Sequence, residues 1–403
     1  TLTWGLGGMA VVLVGMLFLT GLMLKFAYQP VPDQSYTSII QLQNTVLFGR
    51  LIRNMHHWSG NALLLVVFLH FLRVFFTGAF HSPRQFNWIL GLVMFLLTLG
   101  SNFTGYLLPW DQLAFWAITI CTGMLEYIPG IGIGLQKMIR GGGEIGPATL
   151  SNFFAVHTAI IPACLVILMP FHFWRVRKSK GLVIPRTPLE DPAIRGETVA
   201  TIPNLIIREL AVAAVLVALI MVVSVFFNAP LEAKANPGLS PNPTKAPWYF
   251  AGLQELLLHF HPLFAVLIIP AATVTGLFLL PYMRYDADTA GVWFASLRGR
   301  RTAIVAVVVA LIITPPAIIA DEFLFDFAAW LPGVPAVISN GLLPAVLVLA
   351  GIIGFYGLMK RYYAANKNEA VQAVFVLLLI AFIILTITCI WFRGRGMALM
   401  WPG

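Results

Sequence analysis

The chain is poor in charged residues and in cysteine. Only 10% of its 403 residues are Asp, Glu, Lys or Arg, whereas 59% are apolar, and the mean hydropathy is +0.87. These values exclude a soluble globular protein and indicate a polytopic membrane protein. The three cysteines (Cys121, Cys164 and Cys389) are widely scattered, which excludes a disulfide framework. No Cys-x-x-Cys-His sequence, iron–sulfur motif or cleavable signal pattern occurs, so the usual form of covalent haem attachment is also excluded.

Nine apolar segments are long enough to cross a bilayer as helices. We predict an all-α fold, in which a four-helix bundle is followed by four or five further transmembrane helices. With the loop 26–57 placed outside, sixteen of the 25 Lys and Arg residues lie in cytoplasmic loops, as the positive-inside rule requires. The net charge of +9 therefore indicates topology, not a nucleic-acid partner. We expect an integral protein of a bacterial inner membrane, with spans at about 4–25, 58–80, 88–108, 152–175, 207–228, 261–281, 302–320, 342–359 and 372–392.

Four histidines lie in or beside two of these spans. His56 and His70 are 14 residues apart, which places them on nearly the same helix face and roughly 21 Å apart along the axis. His157 and His172 are 15 residues apart and roughly 60° out of line. Two such helices side by side would present facing imidazoles at two depths, which suits two haems that each take one axial ligand from each helix. His57 points about 100° away from His56, so we assign ligation to His56.

Two pairs of glycines repeat the 14-residue step. Gly7 and Gly21 lie in the first predicted span, and Gly91 and Gly105 lie in the third. Because glycine has no side chain, a flat macrocycle can lie directly against the backbone at these positions. Packing of small residues between helices is the alternative explanation.

Three arginines are candidates for pairing with haem propionates. Arg53 precedes the outer histidine, and Arg84 and Arg177 lie at the cytoplasmic ends of spans. A guanidinium group pairs well with a carboxylate. Snorkelling towards the membrane surface is the alternative role for these side chains.

Two segments carry a family resemblance. Arg53-Asn-Met-His56 and Gly105-Tyr-Leu-Leu-Pro-Trp-Asp-Gln112, together with the 14-then-15 histidine spacing, resemble cytochrome b of the bc-type quinol-oxidising complexes, and in particular the chloroplast-type branch. The resemblance implies an N-terminal haem-binding domain at 1–180, a cytoplasmic linker at 181–205, and a C-terminal region at 206–403 whose first part is similar to subunit IV of that branch.

The resemblance also implies a function. A cytochrome b subunit of a respiratory or photosynthetic complex oxidises quinol at an outer site and moves electrons through two b haems to an inner quinone site, which translocates protons (the Q cycle). Here the outer haem would be held by His56 and His157, and the inner haem by His70 and His172. The implied partners are a Rieske iron–sulfur protein and c-type cytochrome subunits in a homodimeric complex. Only with these partners would the chain act as a quinol:cytochrome c-type oxidoreductase.

The second half contains a departure from the family pattern. Residues Ala246-Pro247-Trp248-Tyr249 resemble the quinol-site motif Pro-Glu-Trp-Tyr, but a proline replaces the glutamate, which is given the role of proton acceptor. We expect Glu255 to take that role, with Trp248 and Tyr249 in the quinol pocket. Alternative roles remain open for these residues. Glu255 could instead be solvated at a helix end, and the two aromatics could be interfacial anchors. His259 and His261 could lie at the interface or form a proton relay. The departure favours menaquinol as the substrate.

Both ends of the chain also depart from the pattern. Gly5 stands where the chloroplast-type branch has a cysteine that holds an extra haem, so we expect no haem to be attached there. The ninth span is one more than cytochromes b commonly have. It would place the tail after Arg393 outside, where the tail either docks an electron-acceptor subunit or leads into one.

Other functions remain open at this point. The chain could be the dihaem membrane anchor of a dehydrogenase, a proton-coupled transporter with intramembrane histidines, or a non-catalytic assembly subunit. The segments 105–112 and 246–250 argue against the anchor. A transporter would be colourless and would contain internal repeats, and we find no convincing repeat between the two halves.

Overall fold

The architecture is helical throughout the described part of the chain. A computed structural model describes residues 5–191, 200–286 and 289–401, and within these ranges loops connect the helices and β structure is limited to two isolated bridges. In this described part of the chain nine helices are long and apolar enough to cross a membrane, which confirms the predicted fold class. The main helices are, in chain order, α1 (Leu6–Lys25), α2 (Pro32–Asn44), α3 (Gly49–Phe76), α4 (Gln85–Leu107), α5 (Gln112–Gly123), α6 (Gly132–Arg140), α7 (Pro147–Lys178), α8 (Thr201–Phe226), α9 (Trp248–His259), α10 (Phe264–Tyr282), α11 (Leu297–Phe323), α12 (Ile338–Tyr362) and α13 (Lys367–Phe392).

Several helices extend beyond the apolar segments that predicted them. Helix α3 begins at Gly49, nine residues before the predicted span, because its first turns carry polar residues such as Arg50, Arg53 and Asn54 that lower the local hydropathy. Helix α7 begins at Pro147, a residue well suited to a first helical turn because its missing N–H would have no intrahelical partner. Helix length is therefore set by capping and backbone hydrogen bonds, whereas hydropathy detects only the apolar part.

The spanning helices keep most of their surface outside the protein core. The most apolar 18-residue window of each has at most 33% of its residues buried. Apolar side chains left exposed on this scale would be unfavourable in water but are suited to contact with lipid. This pattern agrees with the membrane assignment made from composition.

The contacts divide the chain into two compact units. Unit 1 is formed by Thr1–Phe75, Ser82–Phe115 and Ile139–Asn236, and unit 2 by Phe76–His81, Trp116–Met138 and Pro237–Gly403. This division differs from the predicted one, which grouped everything after residue 205 with the C-terminal region. Helix α8 belongs to unit 1 because its apolar face joins the core formed by α1 and α3. The buried members of that core are Leu13, Met16, Leu63, Val66, Leu216 and Ile220.

Unit 2 is built around the contact between α11 and α13. Small buried side chains line this contact and allow the two helices to approach closely: they are Ala303, Ala306 and Ala310 on α11, and Ala370 and Ala373 on α13. A capping box fixes the start of α13. The Asn366 side chain accepts from the Glu369 N–H at 2.9 Å, and the Glu369 carboxylate accepts from the Asn366 N–H at 2.8 Å.

Candidate functional site

In unit 1, each of the four predicted ligand histidines on α3 and α7 faces one of the four predicted haem-contact glycines on α1 and α4. A Cβ atom built on Gly105 would lie 2.6 Å from Cε1 of His157, and one on Gly21 would lie 3.1 Å from Cε1 of His56. These four residues form what we call the His56 layer. The corresponding distances are 3.7 Å from Gly91 to His172 and 3.9 Å from Gly7 to His70, which form the His70 layer.

A π-helical turn explains how histidines 15 residues apart on α7 match histidines 14 apart on α3. Residues Val156–Ile160 form this wider turn, and His157 lies within it. A π turn accommodates one extra residue, so the helix beyond it returns to the phase that a 14-residue spacing would give. Pro162 is the second residue of the α-helical stretch that follows, and it cannot donate a hydrogen bond to the carbonyl four residues before it. The offset of roughly 60° expected from the sequence thereby becomes an offset of roughly 40° in the opposite direction, the same as that of the 14-residue spacing on α3.

Hydrogen bonds fix which ring nitrogen carries the proton in the His56 layer. The Thr20 hydroxyl donates to the Met16 carbonyl at 2.7 Å, so its oxygen accepts from Nδ1–H of His56 at 2.9 Å. In His157, Nδ1–H donates to the Ser101 carbonyl, also at 2.9 Å. Both rings therefore leave the Nε2 lone pair available for a metal, and a fixed partner on Nδ1 is typical of metal-binding histidines.

The spacing of the two rings in this layer fits a haem iron. The ring centroids of His56 and His157 are 6.1 Å apart. Imidazole nitrogens lie about 2 Å from a bound metal, so an iron between two such rings requires centroids about 6 Å apart. Within the described ranges no group of three or more His, Cys, Asp or Glu side chains could hold a metal ion. Paired histidines suit a haem, because the macrocycle supplies the other four ligands.

The His70 layer repeats the arrangement with fewer internal hydrogen bonds. His70 and His172 are near enough to interact electrostatically. The Nδ1 atom of His172 is buried and lies near the Asn87 backbone without reaching hydrogen-bond geometry. His57 lies outside both layers, because it faces the side chains of Asn61 and Trp58 on its own helix.

The arginines proposed for the haem propionates contact backbone carbonyls. Arg53 is buried and donates to the carbonyls of Ala229 at 2.8 Å and Pro230 at 2.6 Å, which fixes the segment after α8. Arg84 donates to the Ser179 carbonyl at 2.8 Å, and Arg177 is exposed near the end of α7. Their assignment to propionates remains a prediction, and the geometry gives Arg53 a structural role as well.

Gly5 begins α1 in a conformation that favours glycine. Its φ angle is +69°, in the left-handed region where a side chain with a Cβ atom is strained. A cysteine at this position would therefore cost backbone energy that glycine does not. The absence of an attached haem at Gly5 remains a prediction.

In unit 2, the proposed quinol motif forms the start of α9. Trp248 and Tyr249 are the first two residues of this helix and pack edge to face, with ring centroids 5.6 Å apart. The Gln254 side chain holds the preceding segment: its oxygen accepts from the Ala246 N–H and its amide donates to the Thr244 carbonyl, each at 2.7 Å. The motif is therefore a rigid helix start rather than a loop.

Glu255 lies further along α9 in a buried charged network. Its carboxylate accepts from Nη2 of Arg393 at 2.7 Å and from Nε at 3.0 and 3.1 Å, and it lies 3.2 Å from Nε2 of His259. Nδ1 of His259 lies 2.6 Å from Asp321, and Nη1 of Arg393 donates to Glu322 at 2.7 Å. We call these five side chains the Glu255 network.

The pKa values in this network follow from its hydrogen bonds. Burial alone would raise the pKa of Glu255, but hydrogen bonds from His259 and Arg393 outweigh it and hold that pKa below its ordinary value. Burial also opposes the charged form of His259, yet its bonds to Asp321 and Glu255 raise its pKa to about 9. Glu255 is therefore ionised and His259 protonated at neutral pH.

No sequence pattern indicated that these residues would come together. Arg393 is 138 positions from Glu255, and no motif links the adjacent acidic residues Asp321 and Glu322 to either of them. The available signal was an arginine directly after the long apolar run of α13, where a buried partner would be needed if the helix end packed inside the protein. Helix α13 thus contributes directly to the candidate quinol region.

The fold and the paired histidines define a multi-pass membrane protein suited to hold haem between helices. The family profile described as Cytochrome b/b6/petB matches residues 1–180. Cytochrome b6 of Heliomicrobium gestii is 42% identical over 172 residues, which cover 43% of this chain and 81% of the relative. Cytochrome b6 of Desmonostoc sp. is 38% identical over 174 residues, with the same two coverages. The chain belongs to the cytochrome b/b6 family, whose members are haem-binding proteins of electron transport.

The similarity of fold extends beyond the matched half. A chain in a solved structure of a hyperthermophilic respiratory Complex III superposes with a TM-score of 0.67 at 23% identity. The superposition covers 94% of this chain and 92% of that chain. The second half, which the family profile does not match, is therefore included in the fold that the two chains share.

Proposed function

We propose that this chain is the cytochrome b subunit of a bc-type quinol-oxidising complex. When bound, two b haems would carry single electrons between a quinol site at the outer membrane face and a quinone site at the inner face. His56 and His157 would hold the outer haem, and His70 and His172 the inner one. A Rieske iron–sulfur protein and a c-type cytochrome would complete a dimeric complex in a bacterial inner membrane, and menaquinol is the proposed substrate.

The observation that carries this proposal is the pairing of each of the four proposed ligand histidines with a glycine, in two layers. A single buried histidine can serve helix packing, but packing does not require four such pairs in two matching layers. The glycines Gly21 and Gly105 permit the close approach of the imidazoles, and Thr20 and Ser101 orient the rings through Nδ1. These contacts would prepare the Nε2 atoms to hold iron without rearrangement.

The proposed quinol site uses the start of α9 and the Glu255 network. Trp248 and Tyr249 would contact the quinol ring, and Glu255 would accept a proton in place of the residue that Pro247 replaces. The carboxylate is fully buried, and at neutral pH it is ionised, so it can accept a proton without first losing one. Its two cationic partners lower its basicity, so proton transfer to Glu255 would accompany the removal of electrons from quinol.

The first experiment is a haem count on the purified chain. A dithionite-reduced minus oxidised spectrum with a pyridine haemochrome assay is expected to give two b haems per chain. The His56→Leu variant is expected to lose one haem. His57→Leu is the matched control, because it removes the neighbouring imidazole and should retain both haems. Reduction of both haems by a menaquinol analogue in the assembled complex would support the quinol reaction.

Two results would contradict the proposal. A colourless wild-type chain would exclude haem ligation and favour a transporter. If a preparation that contains the iron–sulfur partner has two haems but no quinol reduces them, the haem assignment stands and quinol oxidation is excluded.

A further inference from the structure

The Glu255 network has two arms that differ in their central group, an imidazole that can pass a proton in one and a guanidinium that stays charged in the other. One arm runs from Glu255 through His259 to Asp321, and the other runs from Glu255 through Arg393 to Glu322. Side-chain exposure rises outwards along both arms, from 0% at Glu255 to 31% at Asp321 and to 24% at Glu322. The first arm therefore connects a fully buried carboxylate to the surface through one imidazole.

A cavity adjoins the exposed end of that arm. It has a volume of about 350 Å³, and its lining includes His259, His261, Asp321, Asp326 and Asn340. Polar groups of this kind can hold water in a cavity of this size. Glu255 is not among the lining residues, so His259 separates the buried carboxylate from the cavity.

We propose that Glu255, His259 and Asp321 form a proton exit path that ends in this cavity, with Arg393 and Glu322 as fixed counter-charges. The proposal rests on the proposed quinol oxidation and adds the route by which its proton leaves. It also assigns a role to the ninth span, since Arg393 at the end of α13 holds Glu255 in place.

Each proton can be followed from quinol to the cavity, with every bond that breaks matched by one that forms. As the complex's one-electron acceptors, the iron–sulfur cluster and a b haem, oxidise quinol, a quinol O–H bond breaks and an O–H bond forms on Glu255. His259 passes its Nδ1 proton to Asp321, which leaves a neutral ring with its proton on Nε2. A ring flip then turns the Nδ1 lone pair towards Glu255, from which it takes the proton, and the reverse flip restores the starting orientation. Asp321 then releases its proton to water in the cavity. All three groups return to their starting states, and one proton has moved from quinol to the cavity.

The charges of the network favour this direction. Three carboxylates face two cations, so the network at rest has one net negative charge, which an incoming proton neutralises. His259 contacts Glu255 on its own helix and Asp321 on α11, and the charges next to these partners are Arg393 after α13 and Glu322 on α11. His261 and Asp326 line the same cavity. Because Asp321 and Glu255 hold His259 protonated, its Nδ1–H is available to donate before the next proton arrives.

The test compares two neighbouring carboxylates in the intact complex. Asp321→Asn removes the last acceptor of the path, whereas Glu322→Gln removes the same charge from the other arm. Quinol oxidation by wild-type complex and by both variants is measured from pH 6 to pH 9. We expect Asp321→Asn to lower kcat roughly 10- to 100-fold at pH 6 with little change in KM, within the range of general acid–base effects. The deficit should shrink towards pH 9, because His259 without Asp321 loses its proton more easily.

Two further measurements separate a relay from a structural role. Asp321→Glu keeps a carboxylate and is expected to restore most of the rate. Added formate, a weak acid small enough for the cavity, should accelerate Asp321→Asn but not Glu322→Gln. If the wild-type complex is active and the Asp321→Asn and Glu322→Gln variants have the same rate and the same pH profile, the exit path is wrong but the proposed function stands. A wild-type complex with full haem content and no quinol oxidation would overturn the proposed function, and the exit path with it.

Discussion

The replacement of Gly105 by alanine tests the haem layers most directly. The new Cβ atom would lie 2.6 Å from Cε1 of His157 and 3.0 Å from its Nδ1. Ordinary contact begins at 3.4 Å, so the imidazole or the helix must move by about 0.8 Å. The Ser101 carbonyl already holds this ring, so the shift would strain that hydrogen bond or displace Nε2.

The expected magnitude follows from the cost of overpacking. Forcing an extra methyl group into a packed site costs about 1–3 kcal/mol. If the strain falls on the ligand, haem affinity in the His56 layer decreases roughly 5- to 150-fold. Gly100→Ala on the same helix is the matched control, because its Cβ atom would lie 3.6 Å from the Ile161 side chain, an ordinary contact distance, and faces neither layer. Both changes gain up to about 1 kcal/mol of helix propensity, so a difference between them reports the steric effect.

The assay is a haem count combined with redox titration. Gly105→Ala is expected to lose part of one haem or to shift its midpoint potential, whereas Gly100→Ala should match the wild-type chain. The reasoning is refuted if Gly105→Ala retains two haems with unchanged potentials, because the observed approach of glycine and imidazole would then have no bearing on haem binding.

Three further predictions address the supporting contacts. Thr20→Val removes the oxygen that accepts from His56, and we expect roughly tenfold weaker haem binding or a shifted potential in that layer, measured by titration. Glu255→Gln leaves the Arg393 guanidinium with only one carboxylate, and we expect thermal unfolding in detergent to show a loss near the lower end of about 3–5 kcal/mol. Because the pKa of His259 is raised from 6.5 to about 9, its protonated form stabilises the fold fully below pH 6.5 and loses that effect as the pH rises through 9. Melting curves from pH 6 to pH 10 should show this decline, and a flat profile would contradict it.

Much of the fold and the grouping of the candidate haem ligands could be predicted because strong local signals encode them. Nine apolar segments of bilayer length gave the nine spans, and the repeated steps of histidine and glycine gave the two layers before any contact was known. The structure pairs each histidine with a glycine, which spacing alone did not assign. It also supplied the oxygen partners of His56 and His157, which depend on side chains of neighbouring helices.

The remaining features depend on contacts between distant parts of the chain. Helix α8 joins unit 1 because Leu216 and Ile220 complete a core with α1 and α3. No sequence pattern indicates against which apolar helices a given span will pack. The Glu255 network joins residues up to 138 positions apart. Arg53 was matched to a propionate by its charge and position, whereas its observed partners are carbonyls, which any residue supplies.

The π-helical turn around His157 makes the chain tolerant of a change in length. A turn that accommodates one surplus residue can also release it, so a single-residue deletion between Thr158 and Ile161 could convert the turn to regular α-helix. Both histidines of α7 would then keep their facing positions, although their separation in the sequence would fall from 15 to 14. Ligand spacing along this helix is therefore not a fixed dimension of the fold. What persists is the phase of the two imidazoles, and the two spacings are alternative ways of reaching it.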